Sequence, residues 1–275
     1  MIWFMQTDRQ LDLFGGGGFV ADEVTAPHRS RPLPPAGDLD DAGLIAAIPY
    51  ASQATCLSLA DEVARRRLAG AIPALTALCR RFRGFGLDRA VPEQVAAMRG
   101  LGAIGGREAR AAITALITDG VVQGPGITVA VEVARGLRAR LPAAVGLVLL
   151  RHSEPAVREH VACCVQMTPD VAGVLLDLLG DLNRGVADAA ACALGRSGRV
   201  EARPALLRLM AERPSAEAIE ALAVVADETV IVLLGRIARG GSALAGAALD
   251  ALEDIDDIRA AAIVAGIKGR SASGS

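Results

Sequence analysis

A stripe of apolar residues recurs along this chain with a period of 29 residues. It is clearest in four segments, where it occupies relative positions 0, 4, 7 and 8: Val157, Val161, Cys164, Val165; Val186, Ala190, Ala193, Leu194; Ser215, Ile219, Leu222, Ala223; and Leu244, Ala248, Ala251, Leu252. A weaker copy, displaced by one residue, lies upstream: Val129, Val133, Gly136, Leu137. This spacing is that of one buried face of an α-helix. The repetition predicts a stack of similar units that bury their apolar faces against each other.

Each stripe is preceded by a second apolar segment, so the repeated unit contains two helices. These segments lie at 145–150, 174–179, 205–210 and 230–237, and Gly, Pro or Asp residues separate them from the stripes. Short breaks join helices that run antiparallel. The composition agrees, because 52% of the residues are apolar but only 3% are aromatic. Ala, Leu and Val favour helices packed on helices over sheets, so we expect an all-α fold.

One turn in the repeated region resembles the turn of a known repeat family. Glu154-Pro155-Ala156-Val157-Arg158 is similar to the D-P-x-V-R turn of HEAT repeats, with Glu in place of Asp. Ala193-Leu194-Gly195 and, more loosely, Gly100-Leu101-Gly102 resemble the end of that family's second helix. The resemblance covers roughly residues 38–263 and departs from the pattern at 119–126, where the break is longer. It implies a right-handed α-solenoid of antiparallel helix pairs, as in short bacterial HEAT repeats, that binds a partner rather than catalyses a reaction.

The chain divides into three parts by composition. Residues 1–37 contain four consecutive glycines, Gly15 to Gly18, followed by a segment crowded with prolines, which predicts a disordered tail that carries a short linear motif. Residues 38–263 hold the repeats, and 264–275 are expected to form a flexible C-terminal tail. We find neither a secretory leader nor an uninterrupted apolar span, so we expect a cytoplasmic protein without a membrane contact, whose five cysteines are reduced.

The tail contains a pentapeptide of high specificity, Gln10-Leu11-Asp12-Leu13-Phe14. It resembles the Q-L-(S/D)-L-F motif through which bacterial DNA-processing proteins dock on the replicative sliding clamp. Leu13 and Phe14 match the hydrophobic anchors, and Gln10 matches the residue that makes amide hydrogen bonds. The glycine run beside it suits a tethered peptide. The alternative is a short turn of Leu11, Leu13 and Phe14 folded against the first repeat.

Charge is distributed unevenly although the net charge is only −2. Residues 61–140 carry 13 Arg against 7 acids, and residues 141–260 carry 11 Arg against 17 acids. Six arginines in the basic half fall on successive helical segments, Arg65, Arg66, Arg67, Arg80, Arg81 and Arg83. They could form a surface for nucleic acid or an acidic partner. The alternative is that they only solvate helix ends.

Catalytic and metal sites are not supported by the residue spacing. His152, His160, Cys163 and Cys164 do not match zinc spacing, because adjacent cysteines on a helix cannot face one site. The acids between Asp250 and Asp257 lack the pattern of a calcium loop, and we interpret them as a polar face that caps the last repeat. We therefore expect no catalytic residues, no metal and no cofactor.

These features favour a non-enzymatic adaptor in DNA replication or repair. Its tail docks on the sliding clamp, and its repeats hold a second partner, protein or DNA. A general HEAT-repeat scaffold unrelated to DNA is the alternative. An enzyme similar to the HEAT-like alkylpurine DNA glycosylases or bilin lyases is a third class, but the repeats contain no Trp for stacking a base.

Overall fold

The computed structural model describes the backbone of residues 34–273 and the side chains of residues 34–269. These residues form helices joined by turns, so the all-α prediction is confirmed for them, and no strand longer than an isolated bridge occurs within them. Contacts group Pro35–Ser275 into one unit. Fifteen α-helices follow each other in this part of the chain: α1 (Asp41–Ala47), α2 (Cys56–Arg65), α3 (Ile72–Arg81), α4 (Pro92–Ile104), α5 (Gly106–Thr118), α6 (Gly126–Gly136), α7 (Ala143–Leu149), α8 (Pro155–Cys164), α9 (Pro169–Leu178), α10 (Arg184–Arg196), α11 (Arg203–Glu212), α12 (Ala216–Val224), α13 (Glu228–Arg239), α14 (Ala245–Asp254) and α15 (Ile258–Ser273).

Local sequence signals place the starts of several helices. Asn183 accepts a hydrogen bond from the Val186 backbone N–H at 3.2 Å, and Asp227 accepts one from Val230 at 3.0 Å. Such side-chain caps satisfy donors that have no partner within the first turn. Pro155 occupies the first turn of α8, where its missing N–H costs nothing. The four apolar segments that precede the stripes correspond to α7, α9, α11 and α13, as predicted.

The even-numbered helices pack against one another in chain order. Extensive contacts join α2 to α4, α4 to α6, α6 to α8, α8 to α10, α10 to α12, and α12 to α14. We call these seven helices the even row. The odd-numbered helices lie beside it, and where they contact each other in sequence, as α3 with α5 or α7 with α9, the contacts are less extensive. Each helix therefore packs mainly on helices one or two places away along the chain.

The core follows the predicted stripe in α8 and α10. Val157, Val161, Val186 and Ala190 are fully buried. Burial of these side chains is the main favourable contribution to the stacking of α8 on α10.

The predicted stripe is wrong in α6. Val129 and Val133 are only half-buried, whereas Ile127, Val131 and Ala134 are buried, 30 residues before their counterparts in α8. The helix thus buries a different face from the predicted one. Val129 and Val133 lie on the flank of the buried face.

Two other stripe positions prove to be helix starts. Ser215 is the N-cap of α12, where its hydroxyl accepts a hydrogen bond from the Ala218 N–H at 3.2 Å, and Leu244 is the residue before α14. A polar side chain at Ser215 suits a cap better than a core. The step from the Asn183 cap to the Ser215 cap is 32 residues rather than 29, and the 3-10 turn Val200–Ala202 lies within this longer segment.

The two ends of the repeat region also differ from the expected boundaries. Gly37 already belongs to a 3-10 turn, Ala36–Asp38, and α15 continues to Ser273, through most of the predicted C-terminal tail. The alanines after Ile258 favour helix, and α15 packs on α13 and α14. The predicted long break at 119–126 is confirmed, since α5 ends at Thr118 and α6 begins at Gly126.

Candidate interaction surface

The clamp-like motif lies outside the described residues. Gln10, Leu11, Asp12, Leu13 and Phe14 all precede residue 34. Docking of this segment on a sliding clamp therefore stays a prediction.

Arg66 binds the segment that precedes α1. Its guanidinium donates to the backbone carbonyls of Leu39 at 2.9 Å and Gly37 at 3.1 Å, and it forms ion pairs with Glu62 at 2.6 Å and Asp41 at 3.0 Å. This side chain joins the end of α2 to the start of the fold. It is occupied by structural contacts rather than presented to a partner.

The other two arginines at the end of α2 are more exposed. Arg65 pairs with Glu62 at 2.6 Å, and its side chain is 69% exposed. Hydrogen bonds from Arg65 and then Arg66 lower the pKa of Glu62 to about 2. Arg67 is exposed and adopts a left-handed backbone conformation, with φ of 52°. Arg65 and Arg67 are therefore the two exposed arginines of this trio.

The arginines at the end of α3 contact the break between α5 and α6. Arg80 forms an ion pair with Asp119 at 2.8 Å, and Arg83 donates to the backbone carbonyl of Asp119 at 2.7 Å. Both guanidiniums therefore cap the C-terminal end of α5, where partial negative charge accumulates.

Arg81 makes contacts in the opposite direction along the chain. It donates to the Pro49 carbonyl at 2.8 Å, and its guanidinium carbon lies 4.6 Å from the centre of the Phe82 ring. Phe85 packs edge-on against Phe82 and is 68% exposed. The arginines predicted as one basic patch thus form two groups on consecutive helices, and four of the six are committed to contacts with other helices or turns.

His152 and Cys164, two of the four side chains considered for metal binding, take part in other hydrogen bonds. His152 Nδ1 accepts a hydrogen bond from the Glu154 N–H at 3.0 Å, at the start of α8. Burial raises the pKa of Cys79 and Cys164 to about 12 and that of Cys192 to about 11, so these thiols are protonated at neutral pH. Within the described part of the chain, no three His, Cys, Asp or Glu side chains are grouped so that they could hold a metal ion.

The turn that resembles the HEAT motif carries a largely buried ion pair. Arg158 pairs with Asp181 at 2.9 Å, and their side chains are 15% and 7% exposed. Arg158 also donates to the carbonyls of His152 and Ser153. Burial by itself raises the pKa of Asp181, but hydrogen bonds from Arg158 and from the Asn183 N–H outweigh it and hold the pKa below its ordinary value. The pair joins the α7–α8 turn to the α9–α10 turn.

An open groove of about 520 Å³ lies on the even row, and the sequence did not predict it. Eight residues of three successive even helices line it: Arg196 from α10; Glu220, Ala223 and Val224 from α12; and Ala247, Asp250, Ala251 and Asp254 from α14. We call it the even-row groove. The available signal was the spacing of Asp250 and Asp254, which lie one turn apart on α14.

The acids near the end of α14 fall into two groups by their contacts. Asp250 and Asp254 line the even-row groove, whereas Glu253 pairs with Lys268 at 2.9 Å and Asp257 accepts a hydrogen bond from the Arg259 N–H at 2.7 Å. All five acids of the predicted polar face lie at or near the surface: Asp250, Glu253, Asp254 and Asp256 are exposed, and Asp257 is half-buried.

A smaller groove of about 270 Å³ lies between α4 and α6. Its lining combines one Arg and one Glu with small or apolar residues: Arg99, Gly102, Glu132, Val133, Gly136 and Leu137. Its opposite charges are balanced, so it has less electrostatic preference than the even-row groove.

Comparison of the chain with protein-family models, with curated proteins and with solved structures gave no match. Among residues 34–273, no helix combines the length and apolar character that crossing a bilayer requires.

Proposed function

We propose that this protein is a non-enzymatic adaptor whose helix pairs form a HEAT-type, right-handed α-solenoid. The observation that carries the proposal is the even row, in which each helix packs on the next along the whole described chain. Helices that contact only near neighbours in sequence are typical of solenoids, which bind partners on an extended surface. The Arg158–Asp181 pair supports the same interpretation, because it joins equivalent turns of two successive helix pairs.

The tail supplies the second binding function. In this proposal Gln10-Leu11-Asp12-Leu13-Phe14 docks on the bacterial sliding clamp, with Leu13 and Phe14 in an apolar pocket. The repeats then hold a partner near replicating DNA. The grooved even row favours a protein partner, while Arg65 and Arg67, the exposed arginines at the end of α2, are candidates for contact with DNA or an acidic protein.

A labelled peptide of residues 6–16 tests the clamp contact. We expect it to bind a purified bacterial sliding clamp with a Kd in the micromolar range, on the order of −8 kcal/mol, by fluorescence polarisation. Leu13→Ala combined with Phe14→Ala should abolish binding, because it removes both anchors. Thr7→Ala, outside the pentapeptide, is the matched control and should leave the Kd unchanged. Absence of binding by the unmodified peptide would remove the replication setting from the proposal.

The full chain tests whether the motif is accessible beside the repeats. Wild-type protein should co-elute with the clamp, and a chain that lacks residues 1–20 should not. Retention of the clamp by the shortened chain would show that the contact lies on the helices instead.

A further inference from the structure

The lining of the even-row groove contains carboxylates from two neighbouring helices, α12 and α14. Asp250 and Asp254 follow each other by one turn on α14, and Glu220 lies on α12. A cation between the two helices can therefore meet carboxylates from both sides. Only one basic side chain, Arg196 of α10, lines the groove.

The rest of the groove lining is apolar and made of short side chains. Val224 is 56% exposed, and Ala223, Ala247 and Ala251 each carry only a methyl group. Such a lining suits the aliphatic part of a long side chain, since Lys and Arg bury their methylene groups on apolar surfaces and keep the charged end among polar groups.

Several acids at this end of the molecule are paired within the fold: Arg184 with Glu212, Arg213 with Asp188, Arg203 with Asp227, Arg259 with Glu228, and Lys268 with Glu253. Across residues 34–269, by contrast, Glu220, Asp250 and Asp254 form no ion pair. The groove thus combines apolar side chains with three carboxylates that form no ion pair among the described residues.

We infer that the even-row groove binds a segment of a protein partner that carries lysine or arginine side chains. The inference rests on the proposed function, because it names the partner chemistry for the solenoid surface. The methylene groups of one basic side chain lie on Val224 and Ala247, and its cationic end contacts Asp250 and Asp254. Arg196 at the α10 edge donates to a main-chain carbonyl of the segment, which orients it.

A fluorescein-labelled dodecapeptide with three lysines among alanines and serines is a suitable probe. Its binding to the full-length protein is measured by fluorescence polarisation at low ionic strength, where screening is weak. Asp250→Asn with Asp254→Asn should raise the Kd at least about tenfold, which corresponds to about 1.4 kcal/mol. Glu253→Gln with Asp256→Asn is the matched control, because it changes the net charge equally outside the groove. The control should shift the Kd by less than about twofold.

A second peptide tests the contribution of the apolar lining separately from that of charge. Replacing each lysine by diaminopropionate retains an ammonium group but leaves a single methylene in the side chain. We expect this peptide to bind several-fold more weakly, since it cannot reach the carboxylates while lying on Val224. Circular dichroism of each protein variant establishes that it is folded.

Three results would overturn the inference. The first is no binding of the lysine peptide, and the second is an equal loss of affinity in both double variants, which indicates diffuse attraction. The third is a change of oligomeric state in Asp250→Asn with Asp254→Asn, measured by light scattering, which assigns the groove to a second copy. The peptide experiment on the clamp uses only residues 6–16, so failure of either proposal is distinguishable from failure of the other.

Discussion

Between α9 and α14, the even and odd helices are built from different side chains. Helices α10, α12 and α14 of the even row contain five, four and four alanines, whereas the odd helices α9, α11 and α13 contain one, two and one over the same total length. Small side chains let neighbouring helices approach closely, and the even row has the more extensive contacts along the stack. In this part of the molecule, the alanine-rich even helices therefore hold successive helix pairs together, while the odd helices fill the space beside them.

Loss of the Arg158–Asp181 ion pair between two turns gives the largest expected change in the free energy of unfolding. It tests whether contacts within the even row are enough to hold successive helix pairs together. Arg158→Ala leaves the Asp181 carboxylate largely buried without its partner, so we expect a loss of about 3 kcal/mol in the free energy of unfolding, measured with urea. Arg184→Ala, in the exposed pair with Glu212, is the control and should cost less than about 1 kcal/mol. Equal effects would mean that the turns contribute little and that the even row carries the cohesion.

Substitution of one glycine in α10 and one in α9 gives the next largest expected changes in stability, and the two changes have opposite signs. A Cβ at Gly195 of α10 would lie 2.6 Å from Leu206 Cδ1 and 3.0 Å from the Ala221 carbonyl, so we expect Gly195→Ala to destabilise by about 1–2 kcal/mol. Gly173→Ala in α9 meets nothing within 4 Å and should stabilise by about 0.5–1 kcal/mol, because alanine favours helix. The measurement is the shift in urea midpoint. Two shifts of the same sign would contradict the difference in packing between these two sites.

Lowering the pH gives the smallest expected change in stability. The pKa of Asp181 is lowered in the folded state from an ordinary value of 3.8, so its contribution to stability is present above that pH and is lost as the pH falls through the folded pKa. We therefore expect stability to decline below about pH 4. Arg158→Ala should flatten this decline, whereas Arg184→Ala should retain it. The measurement is the thermal midpoint between pH 5 and pH 2.5.

Helix positions could be predicted from the sequence, but helix rotation only in part. The spacing of Val157 and Val161 identifies a buried face, and the structure confirms it. In α6, Val129 and Val133 have the same spacing as the residues actually buried, Ile127 and Val131, so apolar periodicity alone does not select between the two faces. The neighbouring helices decide that choice, because they determine which flank is covered.

The candidate site was harder to predict for the same reason. Charge counting identified an acidic half and a basic half, but it could not tell which charges are satisfied within the fold. Arg66 and Arg83 bind backbone carbonyls, whereas Asp250 and Asp254 remain open to a partner. A groove lined from Arg196 to Asp254 also depends on the register between helices, which a 29-residue period with one 32-residue step does not determine.

The order of contacts in the even row has a consequence for how the chain folds. Every extensive contact joins helices that are one or two positions apart in chain order. No helix therefore depends on a distant part of the chain to form its main contacts. Low contact order shortens the search for native contacts and makes folding fast. It also permits a growing chain to complete each helix pair as it leaves the ribosome, and it lets helices at one end of the even row open while those at the other end stay folded.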